Sequence, residues 1–158
     1  MWGTRGNLVR EIVTIFPMWA TRHQPEGSRM TSRTIVRMKI TSAVHDPEFI
    51  SGVLGIAWDR AWRIGDIRPN TIVQEKLNGW ILNSGLEQTM SLDEQIKALL
   101  LKTGPLKDQI KRCLAGDSIE MPCVIYADSP PALNFPEAVI AEIGDLGASL
   151  DIDLYFSE

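Results

Sequence analysis

From Thr34 to Thr41 the chain alternates, with Val36, Met38 and Ile40 on one side and Arg37 and Lys39 on the other. A two-residue period of this kind predicts a half-buried strand. The same period returns at the C-terminal end, where Leu150, Ile152, Leu154 and Phe156 alternate with Asp151, Asp153 and Tyr155. Between these two strands the apolar residues recur mostly at helical spacing. Asp46-Pro47 reads as a helix start, because the Asp side chain can accept a first-turn N–H and Pro occupies a position whose donor is unused. Phe49, Ile50, Val53 and Leu54 form its stripe, and Gly55 ends it. Ser91-Leu92-Asp93-Glu94 is a capping box, followed by Leu92, Ile96, Leu99 and Leu100 on one face. Gly104-Pro105 closes that helix and opens another with Leu106, Ile110, Cys113 and Leu114, giving a helical hairpin that stops at Gly116.

The remaining elements follow from turn residues. Trp58 to Asn70 contains Gly65, Pro69 and several charges and is expected to be an ordered loop. Thr71–Leu77 and Trp80–Ser84 flank Asn78-Gly79, a dipeptide that tolerates the positive φ of a tight turn, so a β-hairpin is expected there. Met121 to Ala127 reads as a strand whose start, at Pro122, belongs at an edge or a bulge. Pro136 to Leu146 is a helix stopped by Gly147. Arg37 and Lys39 on the first strand, and Asp151 and Asp153 on the last, suggest that these two strands are antiparallel neighbours. The whole is an α+β fold: a mostly antiparallel sheet with helices packed on one face, an open sandwich related to ferredoxin-like layouts and carrying a helical hairpin.

Length and charge narrow the class. A chain of 158 residues with 44% hydrophobic and 23% charged positions is sized for one core that needs neither a disulfide nor a metal. The net charge of -4 and the lack of a basic run argue against a nucleic-acid partner. No window supplies the roughly 20 uninterrupted apolar residues of a membrane span. Residues 1–29 carry Arg5, Arg10, Arg22 and Arg29 against Glu11 and Glu26 and keep no clean period. They are expected to form a weakly ordered arm before a single domain over 30–158, with Met30 a candidate initiator. Cys113 and Cys123 sit in apolar patterns and read as buried thiols, which suits a cytoplasmic protein. With His23 and His45 the only histidines, neither a metal site nor a cofactor is expected.

The densest chemistry lies in Arg60-Ala61-Trp62-Arg63-Ile64-Gly65-Asp66. Guanidinium groups beside indole faces suit recognition of carboxylate or phosphate. The structural reading is that Trp62 plugs the core edge while Arg63 pairs with Asp66 across a Gly65 turn, and this is the stronger of the two. Trp80 is a second aromatic platform, or a core residue. The candidate binding residues are therefore Trp62, Arg63, Asp66 and Trp80. Asp128-Ser129-Pro130-Pro131 follows a strand end and reads as well as a turn. Asp151 and Asp153 lack further oxygen ligands nearby for a cation. No nucleophile elbow, P-loop, dinucleotide fingerprint or H-E-x-x-H is present, so no catalytic residues are assigned.

The order of parts is itself informative. The alternating first strand, the Asp46-Pro47 helix start, Trp62-Arg63-x-Gly65-Asp66, Gly79-Trp80, the two-helix segment and the ending Leu146-Gly147-Ala148-Ser149-Leu150-Asp151-Ile152-Asp153-Leu154-Tyr155 resemble the bacterial domain-of-unknown-function family 4279, over roughly residues 33–156. The resemblance implies a small bacterial, cytoplasmic α+β domain and transfers no functional residues. Two functions are open: a non-enzymatic protein-interaction module of the immunity-protein type, expected from the acidic balance and an open polar sheet face, or a small-ligand binder or enzyme built on the Trp62–Asp66 loop.

Overall fold

The computed structural model describes residues 32–156. The expected arm, and the start of the domain at Met30, lie outside the described residues. Strand β1 (Arg33–Ser42) keeps the alternation, with Thr34, Val36, Met38, Ile40 and Ser42 buried. Helix α1 (Pro47–Leu54) begins where the Asp46 side chain accepts from the Phe49 amide at 2.8 Å, and it ends at Gly55 in the left-handed region. A short strand β2 (Arg60–Trp62) lies within the segment expected to be loop, and it is followed by strand β3 (Asn78–Asn83). Helix α2 (Leu92–Thr103) carries the complete capping box and runs through a 3-10 turn (Gly104–Leu106) into helix α3 (Lys107–Cys113). Strand β4 (Ser118–Ala127), helix α4 (Glu137–Asp145) and strand β5 (Ser149–Phe156) complete the order.

The five strands form one sheet in the order β2-β3-β1-β4-β5, antiparallel except for the parallel pair β4–β5. The class is α+β. The ferredoxin-like relation expected for it is not confirmed by this order. The four helices described contribute to a single core with one face of the sheet: Val36, Met38 and Ile40 of β1, Trp80 and Leu82 of β3, and Met121 and Cys123 of β4 meet Ile50, Ile96, Leu99, Ile110 and Ile143. The other face carries Arg37, Lys39, Glu120, Val124 and their neighbours and is half-buried by its own side chains.

Two expectations are overturned. The first and last strands are not neighbours, because β4 lies between them and β5 runs parallel to it. The physical reason is the connection. Residues 128–148 span the β4–β5 crossover and contain α4, and a helical crossover joins parallel strands as a βαβ unit. Charge picked the wrong acidic strand because β4 starts at Ser118 rather than Met121. That puts Glu120 opposite Lys39, at 3.0 Å.

The second correction concerns Asn78-Gly79, which is no turn. It opens β3, which pairs with β1 on one side and β2 on the other. The Asn78 side chain donates to the His45 carbonyl at 3.0 Å and accepts from the Ile64 amide at 3.0 Å, so it ties two loops to the sheet. The real reversal is earlier. Gly65 donates to the Glu75 carbonyl at 2.8 Å and Arg68 to the Val73 carbonyl at 2.9 Å, around Asn70 at φ 59°. Residues 63–77 thus fold back on themselves as an irregular hairpin, with one isolated bridge, Ile67 to Gln74.

Candidate functional site

Strand β2 is short, but its register on β3 decides what each side chain can do. Trp62 lies opposite Gly79 and Ala61 opposite Trp80, so the two tryptophans point to opposite faces of the sheet. The Trp62 indole lies flat on Gly79: a Cβ added there would sit 2.0 Å from the ring. Only glycine leaves room for this seat. The Arg60 guanidinium stands over the indole, 5.8 Å from its centroid, a cation–π contact that keeps the ring in place.

The four residues singled out from the sequence do not converge. Trp80 is fully buried, and its Nε1 donates to Ser51 Oγ of α1 at 2.9 Å; it is a core residue. Asp66 Oδ2 accepts from the Arg63 amide at 2.7 Å and so closes the Gly65 turn. The Arg63 side chain does not pair with Asp66 as expected. Its guanidinium bonds Glu48 of α1. Arg63 and Asp66 therefore pin the first turn of the loop, and Trp62 alone of the four presents a flat aromatic surface to the open face.

Around Trp62 the surface is shallowly concave. One cleft of about 380 Å³ is bordered by Arg60, Trp62, Asp66, Arg68 and Glu75. A second, of about 300 Å³, lies on the other side of the indole among Lys39, Thr41, Trp62, Lys76 and Glu120. Their charges are largely closed on one another, Lys39 with Glu120 at 3.0 Å and Arg68 with Glu75 at 2.9 Å. Ile67 borders the first cleft and Val73 and Leu77 the second; all three are exposed, as are Ile64 and, at 96%, Ile72 elsewhere on the same loop. Such a set of bare aliphatic side chains on one 15-residue loop is uncommon on a surface that faces only water.

Further along the open face, the Arg33 guanidinium lies 4.9 Å from the Tyr126 ring centroid, and Tyr126 stacks on Tyr155 at 5.2 Å. Burial, with the neighbouring Tyr155, raises the Tyr126 pKa. Arg37 donates to Asn83 Oδ1 at 3.2 Å; burial, then the nearby Arg60 charge, lower its pKa. On the helix side, burial pushes the Cys123 thiol up to about 12, whereas Cys113 is exposed rather than buried as expected.

The structure adds one pair that sequence reasoning missed. His45 Nδ1 lies 2.8 Å from Asp117 Oδ2, and the imidazole stacks on Phe49 at 4.3 Å. The two residues are 72 positions apart and no local pattern links them. A carboxylate fixes an imidazole in this way at catalytic sites, but here Asp117 is the only ring-nitrogen partner recorded among the described residues, and the pair joins the β1–α1 corner to the start of β4. Among the described residues no group of three or more His, Cys, Asp or Glu side chains is placed to hold a metal ion, and no helix is long and apolar enough to cross a membrane.

Comparison with known proteins agrees with the resemblance drawn from the sequence. The family model described as a domain of unknown function (DUF4279) matches residues 31–157. No curated protein and no solved structure matches the chain. The chain belongs to this family, and the fold above is what its sequence order builds.

Proposed function

We propose that the protein is a non-enzymatic interaction module of a bacterial cytoplasm, of the kind that acts by covering a partner protein, as an immunity protein covers a toxin. The observation that carries this reading is the Trp62 rim: a rigidly seated indole with an arginine over it, its clefts bordered by Ile67, Val73 and Leu77 on a loop that also exposes Ile64 and Ile72. Tryptophan and arginine anchors within an apolar surround are the composition of binding hot spots. The loop is braced by Asp66, Glu48 and Asn78, so little ordering entropy opposes docking. The net charge of -4 favours a basic partner through long-range steering. The alternative is a small ligand held beside Trp62 in the cleft with Arg60, Asp66 and Arg68; the closure of Arg68 on Glu75 weighs against it.

Capture experiments with wild-type, Trp62→Ala and Ile72→Asp baits in host extract test the proposal. The expected result is one protein retained by the wild type and lost, by at least about tenfold, from both variants, with their melting temperatures little changed. Retention by both variants contradicts it. So does recovery of no protein together with a thermal shift produced by a small metabolite.

A further inference from the structure

The open face of the sheet carries its charge in two halves. β1 contributes Arg33, Arg37 and Lys39 and β2 contributes Arg60, whereas β5 contributes Asp151 and Asp153. Lys39 is satisfied by Glu120. Arg33, Arg37, Arg60, Asp151 and Asp153 have no ion-pair partner among the described residues. The strand register sets these charges in rows. Pro122 of β4 is level with Asp151, and the β1–β4 register, continued between Val36↔Cys123 and Lys39↔Glu120, sets Arg37 level with Pro122. The next row is Ile35, Val124 and Asp153, and the one after it Arg33, Tyr126 and Tyr155. Down the middle run Pro122, Val124 and Tyr126, a strip of apolar and aromatic surface with positive charge on one side and negative on the other.

We propose that this face binds a second copy of the chain about a two-fold axis running along β4, with β1 of each copy over β5 of the other. Rotation about an axis parallel to the strands keeps every row level and exchanges its two sides. Arg37 then stands over Asp151 of the second copy and Asp151 over its Arg37, so one contact is made twice, as an isologous interface requires. Asp153 of the second copy falls over the Ile35 position, between Arg33 and Arg37. Val124 and Tyr126 meet their own counterparts at the axis, giving an apolar centre flanked by charge. Arg37, which is half-buried, bonded to Asn83 and close to Arg60, has no carboxylate partner among the described residues and gains one. Three strands at a spacing of about 4.8 Å give an overlap smaller than that of a permanent complex, so the association depends on concentration and salt. β2 and the 63–77 loop lie outside the overlap, and the proposal stands or falls independently of the Trp62 rim.

Sedimentation velocity of the full chain at low ionic strength, over rising concentration, tests the arrangement. The wild type is expected to dimerise and to weaken as salt is added. Arg37→Glu and Asp151→Arg should each weaken association by about tenfold or more. The double variant Arg37→Glu/Asp151→Arg, which restores opposite charges at both contacts, should recover to within about threefold of the wild type. Circular dichroism melts check that each variant is folded, and Asp153→Lys, at an exposed position, supplies a further single reversal expected to weaken the dimer. A chain that stays monomeric at every concentration overturns the proposal. So does a dimer indifferent to the single reversals, or a double variant no better than the singles.

Discussion

Gln95 shows how much one polar side chain can organise. It is 1% exposed and sits in the apolar face of α2. Its Oε1 accepts from the Val36 amide at 3.2 Å and from Ser84 Oγ at 3.0 Å, and its Nε2 donates to the Thr34 carbonyl at 2.6 Å and the Met90 carbonyl at 3.2 Å. Gln95→Ala strands several of these groups in the core, and each buried unsatisfied group costs about 1–3 kcal/mol. The expected loss of stability is about 3 kcal/mol, read as a lower urea midpoint with an unchanged slope. A loss below about 0.5 kcal/mol would contradict the role assigned to this amide. Nothing local in the sequence marks Gln95, because its β1 partners lie some sixty residues earlier. Asn78 and Gly79 were visible but misleading for a related reason. The pair fits a tight turn equally well, and only the arrival of Trp62 and His45 from elsewhere decides what it does.

Helices and their caps, by contrast, are set within a few residues of chain. The α2 capping box was legible in Ser91 and Glu94, and the structure contains all of it. Glu94 donates its amide to Ser91 Oγ at 3.3 Å, while Glu94 Oε2 accepts from the Ser91 hydroxyl at 2.7 Å and the Ser91 amide at 3.0 Å. The side-chain bond from Ser91, then its backbone bond, lower the Glu94 pKa. A lowered carboxylate pKa means stability that is present above the unfolded-state value of about 4.3 and is lost as pH falls through the folded one. Ser91→Ala should therefore lower the melting temperature near neutral pH by removing the cap, and the gap from the wild type should narrow in acid; thermal melts across that range check both. A gap that widened on acidification would show that the carboxylate does not act through the cap. Strand limits were less legible. Pro122 argued for a strand beginning near it, yet β4 runs through it, the β1–β4 ladder having no pair at the Arg37–Pro122 row, where Pro has no N–H to offer.

At the scale of the molecule, alternation at the two strands correctly gave an α+β layer with helices on one side and an open face on the other, and it left the strand order undetermined. Opposite charges on β1 and β5 looked like a pairing rule, but a contact between adjacent strands is worth only about 0.2–1 kcal/mol. The helical crossover between β4 and β5 is a chain constraint and outweighs it. Of these charges Lys39 is taken by Glu120, while Arg37, Asp151 and Asp153, separated by β4, have no ion-pair partner among the described residues and give the face its two halves. The Trp62 rim was legible as residue types and not as a surface, because the indole's seat, the brace on Arg63 and the bareness of Ile72 all depend on where β2 lands on β3.

The sharpest test of docking through Trp62 is hydrogen exchange, measured on the chain alone and mixed with any protein that the wild-type bait retains. If the module docks through the Trp62 rim, amides of residues 63–77 are slowed on binding by about tenfold or more, while those of α2 and α4 keep their rates. Protection confined to the helices, with the 63–77 loop exchanging as it does in the free protein, would contradict the account.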